Sequence, residues 1–158
     1  MKIKFTLLLL FFVLIINAQF KEFKFGKISE QELNLTQVPF EKNADAVILS
    51  EEGKMDLTPS NYYLTVKRRI KILTEKGVEE ANIQLSYYSK SKNETIGSIK
   101  GNTINTVNGE TIVSPIDDKE IFDVKVNDLY SAKRFTFPNV KVGSIIEYTY
   151  QKSSEHNF

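Results

Sequence analysis

The sequence predicts a mainly β protein, an antiparallel β-sandwich-like domain with one or two short helices. Two observations carry this prediction. Apolar and polar residues alternate over several segments, which is the pattern of strands with one face in a core and one in water. Turn signals separate these segments at short intervals, as in sandwiches of antiparallel sheets. A chain of about 140 residues buries enough apolar area to form one such domain without disulfides.

Residues 1–18 have the order of a secretory signal peptide. Two lysines near the start precede an apolar run from Phe5 to Ile16, and the small residue Ala18 stands where a signal peptidase would cut. The run has 12 residues, whereas a membrane span needs about 20, and a retained anchor is the alternative. We therefore expect export to the periplasm or cell envelope, or secretion, with a single β-rich domain over 19–158.

Charge and cysteine content argue against several classes of function. Loss of the signal peptide would remove two of the 21 basic residues and none of the 20 acidic ones, which leaves a net charge of −1. Nucleic-acid binders concentrate positive charge, and anionic membranes attract basic clusters, so we expect neither partner. Because the chain has no Cys, disulfides, thiolate zinc sites and a cysteine nucleophile are excluded.

The first predicted elements are a helix and a short strand. Ser29 and Glu32 have the spacing of a capping box, and the helix that they begin must end before Pro39. The apolar run from Ala44 to Leu49 predicts a short buried strand. Glu51-Glu52-Gly53 is interpreted as the turn that closes it.

The clearest predicted strand runs from Tyr62 to Thr74. Apolar residues occupy most of its even positions, and polar or basic residues most of its odd ones. Glu75-Lys76-Gly77 is interpreted as a tight turn, and alternation resumes over 81–87. The two strands are therefore predicted to form a β-hairpin.

Further strands are predicted in the C-terminal half. Thr95 to Val107 reads as a strand whose glycines, Gly97 and Gly101, indicate bulges or bends. Asn108-Gly109 is a strong hairpin signal leading into a returning strand over 110–113. The remaining predicted elements are a helical turn near Asp117 and strands over 122–126, 134–137 and 145–150.

The segment from Phe135 to Tyr150 carries a distinctive order, Asn-Val-Lys-Val-Gly-Ser followed by Ile-Ile-Glu-Tyr. With the lead-in Phe25–Ser29, the strand Asp45–Leu49 and the strand Tyr62–Gly77, it resembles a domain of unknown function found N-terminal to transglutaminase-like domains in exported bacterial proteins. The resemblance spans residues 23–151. It implies a β-sandwich-like fold, no assigned activity, and a transglutaminase-like domain of the same or a related polypeptide as partner. Members of that family continue further, so we expect this domain to be incomplete at its C-terminal end.

No pattern in the sequence predicts a catalytic, cofactor or metal site. Transglutaminase-like chemistry needs Cys, His and a carboxylate, and the one His, His156, is interpreted as a solvated tail residue. The adjacent carboxylate pairs are interpreted as solvated loop residues; they are Glu51-Glu52, Glu79-Glu80 and Asp117-Asp118. We therefore expect no enzyme and no cofactor, but a non-catalytic accessory or interaction domain of an exported transglutaminase-like protein. The alternative is a stand-alone envelope module that binds a glycan or a peptide.

Basic residues on the clearest strand are the first candidates for binding. Lys67, Arg69 and Lys71 form a predicted basic stripe on its outward face. The stripe could contact anionic glycans or envelope lipid. The interpretation we favour is a solvated face balanced by Glu79 and Glu80 on the neighbouring strand.

Arg68 and two tyrosines complete the candidate binding residues. Arg68 falls on the apolar face, where an unpaired charge is costly. We therefore expect it to pair with a carboxylate, Glu147 being one candidate, or to be freed by a bend; a ligand site is the alternative. Tyr62 and Tyr63 could contribute to a sugar-stacking platform, although packing in the core and at sheet edges is favoured.

Overall fold

The computed structural model describes residues 24–155, so the predicted signal peptide and His156 lie outside the described residues. The predicted fold class is confirmed: two antiparallel sheets and few helical residues make up the described chain. The strands are β1 (Ala46–Leu57), β2 (Asn61–Ile72), β3 (Asn82–Tyr88), β4 (Glu94–Val107), β5 (Glu110–Pro115), β6 (Phe122–Lys125), β7 (Tyr130–Thr136) and β8 (Ile145–Glu155). The helices are α1 (Glu30–Asn34) and two 3₁₀ helices, Lys76–Ala81 and Asp118–Glu120.

The two sheets form two layers around one core. The large sheet has the order β1-β2-β8-β4-β5 and the small sheet the order β3-β7-β6. Ile70, Ile146 and Tyr148 of the large sheet belong to one buried cluster with Leu85 and Phe135 of the small sheet. Burial of each large apolar side chain contributes about 1.5–3 kcal/mol, so this cluster holds the layers together. We call the face of the large sheet that meets this core its inner face, and the opposite face its outer face.

Several local predictions are confirmed. Ser29 caps α1 through a capping box, in which its amide donates to Glu32 Oε2 (2.7 Å) and the Glu32 amide donates to Ser29 Oγ (3.3 Å). Asn108 and Gly109 have φ angles of 51° and 81° and join β4 to β5, as a type I′ turn requires. The register of β4 against β8 shifts just after Gly97, at a predicted bulge. These features are decided by residues close together in the chain, which is why the sequence predicts them.

The predicted hairpin between 62–74 and 81–87 is wrong. β2 pairs with β1 and β8, whereas β3 pairs with β7 in the other sheet. The 3₁₀ helix Lys76–Ala81 carries the chain across, and a Cβ on Gly77 would lie 2.0 Å from the carbonyl oxygen of Asp45. Alternation establishes that one face of each strand is buried, but it does not choose the partner strand.

The prediction of a short buried strand closed by a turn at Glu51-Glu52-Gly53 is also wrong. β1 continues through these residues to Leu57, with Glu51 opposite Arg68 and Glu52 opposite Lys67. Cross-strand pairs of opposite charge stabilise such an extension. Because β1 is one of the two edge strands of the large sheet, its apolar residues are only partly covered, and Ile48 is exposed.

Candidate binding cleft

β2 sends its charged side chains to both faces of the large sheet. Arg69 lies directly opposite Glu147 of β8, and Arg68 lies opposite Tyr148. Successive residues of a strand point to opposite faces, so Arg68 is on the inner face and Arg69 on the outer face. By the same alternation the candidate residues divide into an inner pair, Tyr62 and Arg68, and an outer set, Tyr63, Lys67, Arg69 and Lys71. They do not form one site.

The outer face around Arg69 is a buried ionic cluster. The Arg69 side chain is 5% exposed and donates to Glu147 Oε2 at 2.8 and 3.2 Å, to Glu32 Oε1 at 2.7 Å and to the Lys24 carbonyl at 3.1 Å. Glu147 is completely buried, and its Oε1 accepts from the Gly26 amide at 2.6 Å. We call residues 24–35, which reach this cluster, the N-terminal arm. The cluster therefore fastens the arm onto the sheet.

Lys71 makes a second attachment of the arm. Its side chain is fully buried, and Nζ donates to the carbonyl oxygens of Leu33 (2.7 Å) and Gly143 (2.6 Å). Burial lowers the pKa of Lys71, because the charged ammonium loses its contact with water. The ammonium thus links the end of α1 to the loop before β8.

The predicted solvated stripe of Lys67, Arg69 and Lys71 is therefore wrong for two of its three residues. Arg69 and Lys71 are covered by the N-terminal arm, and only Lys67 remains partly exposed. The expected balancing partners, Glu79 and Glu80, lie in the 3₁₀ helix Lys76–Ala81 rather than on a paired strand. Lys67 instead approaches Glu52 of β1 at 3.8 Å.

Arg68 occupies the inner face, as predicted, and its expected ion pair is confirmed with a different partner. Its NH2 lies 2.6 Å from Glu51 Oε1. The predicted partner Glu147 is wrong because it points to the outer face. The hydrogen bond with Glu51 raises the pKa of Arg68 above its ordinary value. The Nε atom is buried and has no acceptor among residues 24–155. Buried donors are almost always paired, and Nε is the Arg68 donor that a bound acceptor or a water would satisfy.

A cleft of about 370 Å³ opens beside Arg68, between the inner face and β3. Tyr148 and Tyr150 line it with stacked rings, whose centroids are 6.3 Å apart and whose planes are inclined by 18°. Burial raises the pKa of both tyrosines, so their hydroxyls stay neutral at neutral pH. Ile96 and Leu85 add apolar walls. The cleft therefore combines apolar and aromatic surface with one unpaired hydrogen-bond donor.

Two further ionic groups near the cleft, Lys152 and Glu94, pair with each other. Lys152 lies 2.8 Å from Glu94 Oε2. Glu94 also accepts from the Tyr62 hydroxyl at 3.2 Å and from the Tyr88 amide at 2.8 Å. Tyr62 thus serves to hold a carboxylate. Glu80, in the 3₁₀ helix that precedes β3, also lines the cleft and adds an exposed negative charge there.

A larger groove of about 600 Å³ lies against the small sheet, but the guanidinium that lines it already has a hydrogen-bond acceptor. Phe122, Gln84 and Arg134 line it. The Arg134 Nε atom donates to Gln84 Oε1 at 2.8 Å, so this guanidinium already has an acceptor. We therefore take the smaller cleft beside Arg68 as the candidate binding site.

Between residues 24 and 155 the structure has neither a cluster of metal ligands nor a membrane-spanning helix. No three His, Asp or Glu side chains in this range are placed to hold a metal ion. No helix in it has the length and apolar character needed to cross a membrane. The expectations of no metal, no cofactor and no catalysis remain predictions.

The comparison with family models decides the family. The model described as a domain of unknown function with solved structure, DUF3857, matches residues 59–158, more than half of the chain. This chain belongs to the DUF3857 family. The predicted resemblance to a domain of unknown function is thereby confirmed, whereas the neighbouring transglutaminase-like domain stays a prediction. A search of curated proteins finds no match to this DUF3857 domain.

A solved structure shares the fold. The DUF3857 domain is similar to the crystal structure of a putative protease from Parabacteroides distasonis ATCC 8503, with a TM-score of 0.62 and 10% sequence identity. The match covers 72% of this chain and 24% of that protein. At this identity the likeness establishes the fold alone.

Sequence reasoning missed two contributors to the cleft and its surroundings. The sequence pattern assigns Glu51 to a turn, and only the β1–β2 register, which sets it opposite Arg68, reveals the pair. The pattern identifies Glu32 only as a helix cap, and no local signal indicates its contact with Arg69, 37 residues away. Strand register and contacts between separate segments are thus the two features that the pattern does not contain.

Proposed function

We propose that this DUF3857 domain is a non-catalytic accessory and interaction domain of an exported transglutaminase-like protein. The observation that carries the proposal is that a domain of this fold makes up 24% of a larger protein described as a putative protease. The sequence adds support, because it has no Cys to serve as the nucleophile of transglutaminase-like chemistry.

The surroundings of the cleft favour binding over turnover. Glu51 and Glu94 beside the cleft are held in ion pairs with Arg68 and Lys152, and the carboxylate that lines the cleft itself, Glu80, is exposed to solvent. An arrangement with one unpaired donor and apolar walls is suited to holding a segment of another molecule.

The test uses the purified chain from residue 19 onward, its predicted mature form. We expect it to hydrolyse no casein and to incorporate no fluorescent amine into casein. We also expect saturable binding to a transglutaminase-like catalytic domain taken from a polypeptide that carries a DUF3857 domain, with a change in that domain's kcat/KM. Turnover that co-purifies with the folded chain, or no binding, would contradict the proposal.

A second candidate is a stand-alone module that binds an envelope glycan. The partly exposed ring of Tyr150 at the cleft, which stacks on the buried Tyr148, is the observation that favours it, because sugar rings pack against aromatic faces. Calorimetric titration with solubilised cell-wall glycan fragments distinguishes the two. Saturable binding that a Tyr150→Ala variant loses would favour the glycan module over the accessory role.

Export is the remaining part of the proposal, and residues 1–18 are its basis. Fused to an alkaline phosphatase that is active only outside the cytoplasm, these residues should give phosphatase activity. Leu9→Arg together with Leu10→Arg should abolish it, because charges in the apolar run block a signal peptide. Equal activity of the two fusions would contradict export by this segment.

A further inference from the structure

One edge of β3 has unpaired backbone groups. The Phe137 amide donates to the Ala81 carbonyl at 3.0 Å, which places the backbone groups of residue 81 toward β7. Because successive residues of an antiparallel strand alternate in direction, Gln84 and Ser86 direct their amides and carbonyls away from β7. The Tyr88 amide confirms this alternation, since it bonds to a carboxylate rather than to β7. Among residues 24–155, no strand pairs with that side of β3.

The free edge of β3 borders the candidate cleft. Residues 82–86 line the cleft together with Arg68, whose Nε donor lacks an acceptor. A strand added to β3 would lie about 4.8 Å from it, which is the usual spacing of paired strands. Such a strand would therefore occupy the space above the inner face, within reach of the partly exposed Arg68 side chain. Two independent features, the free edge and the unpaired donor, thus meet in one place.

An uncovered apolar strip continues from the cleft along the inner face. Met55 lies opposite Leu64, and Leu57 lies opposite Tyr62, so all four share this face. Met55 is 55% and Leu57 73% exposed, which shows that the small sheet does not extend over them. Tyr150 shares the inner face and also lines the cleft, and it connects the strip to the cleft. The strip offers a surface for an apolar side chain of whatever enters the cleft.

We propose that the cleft binds an extended polypeptide segment, which adds a strand to the free edge of β3. The segment pairs its backbone with Gln84 and Ser86, and one of its oxygens accepts from the Arg68 guanidinium, whose side chain is 34% exposed and lines the cleft. A polypeptide meets the spacing of these edge groups, whereas a glycan does not supply alternating donors and acceptors at that spacing. A neutral oxygen suffices, because Arg68 and Lys152 already have carboxylate partners. The inference deepens the proposed accessory role and rests on it for the source of the segment.

The test is a titration of the isotope-labelled chain from residue 19 onward with a capped heptapeptide, Thr-Val-Thr-Phe-Thr-Val-Thr, followed by amide NMR. We expect the largest shifts at the amides of Gln84 and Ser86. The matched probes are two peptides of the same sequence. One is methylated at the amides that point to one edge of the extended peptide, and the other at the amides that point to the opposite edge. Methylation of the edge that pairs with β3 should weaken binding about tenfold or more, because it removes donors and adds clashes.

Two protein variants locate the site. Arg68→Lys keeps a cation beside Glu51 but lacks the Nε donor, and it should weaken peptide binding several-fold. Lys125→Arg is the control on β6 of the small sheet, away from the cleft, and it should leave peptide affinity unchanged. Gln84→Pro removes one edge donor and no backbone hydrogen bond to β7, although it also removes the side-chain bond from Arg134, and it should abolish the shift of the Ser86 amide. If that variant does not fold, the methylated peptides and Arg68→Lys still test the strand-addition proposal.

Several outcomes would overturn the strand-addition proposal. The Gln84 and Ser86 amides would show no shift, or the shifts would be confined to β1 or β5. All methylated peptides would bind with equal affinity. Shifts that grow with protein concentration alone would indicate that a second copy of the chain pairs with β3. Stronger shifts with a chitin trisaccharide than with the peptide would favour a glycan.

Failure of the strand-addition proposal is distinguishable from failure of the accessory role. If the catalytic domain binds but the β3 amides do not shift, only the strand addition is contradicted. If the peptide binds at β3 but the domain has no effect on the catalytic domain, only the accessory role is contradicted.

Discussion

Arg68 and Arg69 are neighbours in β2, yet they belong to two regions with different properties. On the outer face, Arg69 is 5% exposed and has Glu147, Glu32 and a backbone carbonyl as partners. On the inner face, the Arg68 side chain is 34% exposed, has Glu51 as its ionic partner and keeps one donor without an acceptor. A charged group whose bonds are all made within the chain serves the fold. A charged group that keeps a bond to offer at an open cleft is suited to serve a ligand.

The largest effect should come from breaking the outer cluster at Glu147. Glu147→Gln leaves the buried Arg69 without its fully buried counter-charge, and removing one member of a buried pair costs about 3–5 kcal/mol. Urea unfolding followed by circular dichroism measures the loss. Glu51→Gln is the matched control on the inner face, and it should cost less than about 1 kcal/mol, because that pair is partly exposed. Equal losses would remove the distinction between the regions.

A smaller effect that depends on pH should come from Glu32, which joins the arm to the cluster. Burial alone would raise the pKa of Glu32, but hydrogen bonds from Ser29 and Arg69 lower it overall, below 4.5. The folded pKa is thus below the unfolded one, so the contribution of Glu32 is present above pH 4.5 and is lost as the pH falls through the folded pKa. Glu32→Gln should destabilise the domain by about 1–2 kcal/mol at neutral pH. The variant should also lose less stability than the parent chain when the pH is lowered, because it has no carboxylate at position 32 to protonate.

The control for that experiment is Glu30→Gln, which changes an exposed carboxylate on the same helix. It should alter the free energy of unfolding by less than about 0.5 kcal/mol. Unfolding midpoints of both variants and of the parent chain, measured from neutral pH to below 4.5, give the comparison. A wild-type acid transition that Glu32→Gln leaves unchanged would mean that the arm is held by other contacts.

Ser29→Ala should have an effect of about 1 kcal/mol, since it removes the hydroxyl that caps α1. The arm should respond more than the sheets. Hydrogen exchange should become faster for residues 26–33 and stay the same in β8. Ser91→Ala, in an exposed loop, is the control for loss of a serine hydroxyl. Faster exchange throughout both sheets would show that α1 is part of the core and not an attached arm.

Arg68→Gln should have the smallest effect on stability, at most about 1 kcal/mol, because its ion pair is partly solvated. Thermal unfolding of Arg68→Gln beside Arg69→Gln measures the contrast at neighbouring positions. A loss with Arg68→Gln as large as with Arg69→Gln would make Arg68 a structural residue and remove the main support for a binding cleft.

Local patterns predicted much of this architecture. The alternation along β2 correctly placed Arg68 inward and Arg69 outward, and Asn108-Gly109 correctly marked a hairpin. The face that was expected to meet water is nevertheless buried at Arg69, because the N-terminal arm folds back over it. The contact of Gly26 with Glu147 joins residues 121 positions apart, and no spacing in the sequence reveals such a contact.

The cleft could be predicted only in part for the same reason. The sequence showed that Arg68 needed a partner, but Glu51 becomes that partner only through the register between β1 and β2. The free edge of β3 depends on a strand order that places β2 and β3 in different sheets. A pattern of alternation contains no information on either, since it describes the faces of a strand and not its edges.

A pair of double-mutant cycles is the most direct test of the difference between the two faces of β2. One cycle combines Arg69→Gln with Glu147→Gln, and the other combines Arg68→Gln with Glu51→Gln, with the free energy of unfolding measured for every variant. We expect a coupling of about 2–3 kcal/mol on the outer face and below about 0.5 kcal/mol on the inner face. Couplings of similar size in the two cycles would contradict the assignment of Arg69 to the fold and of Arg68 to the cleft.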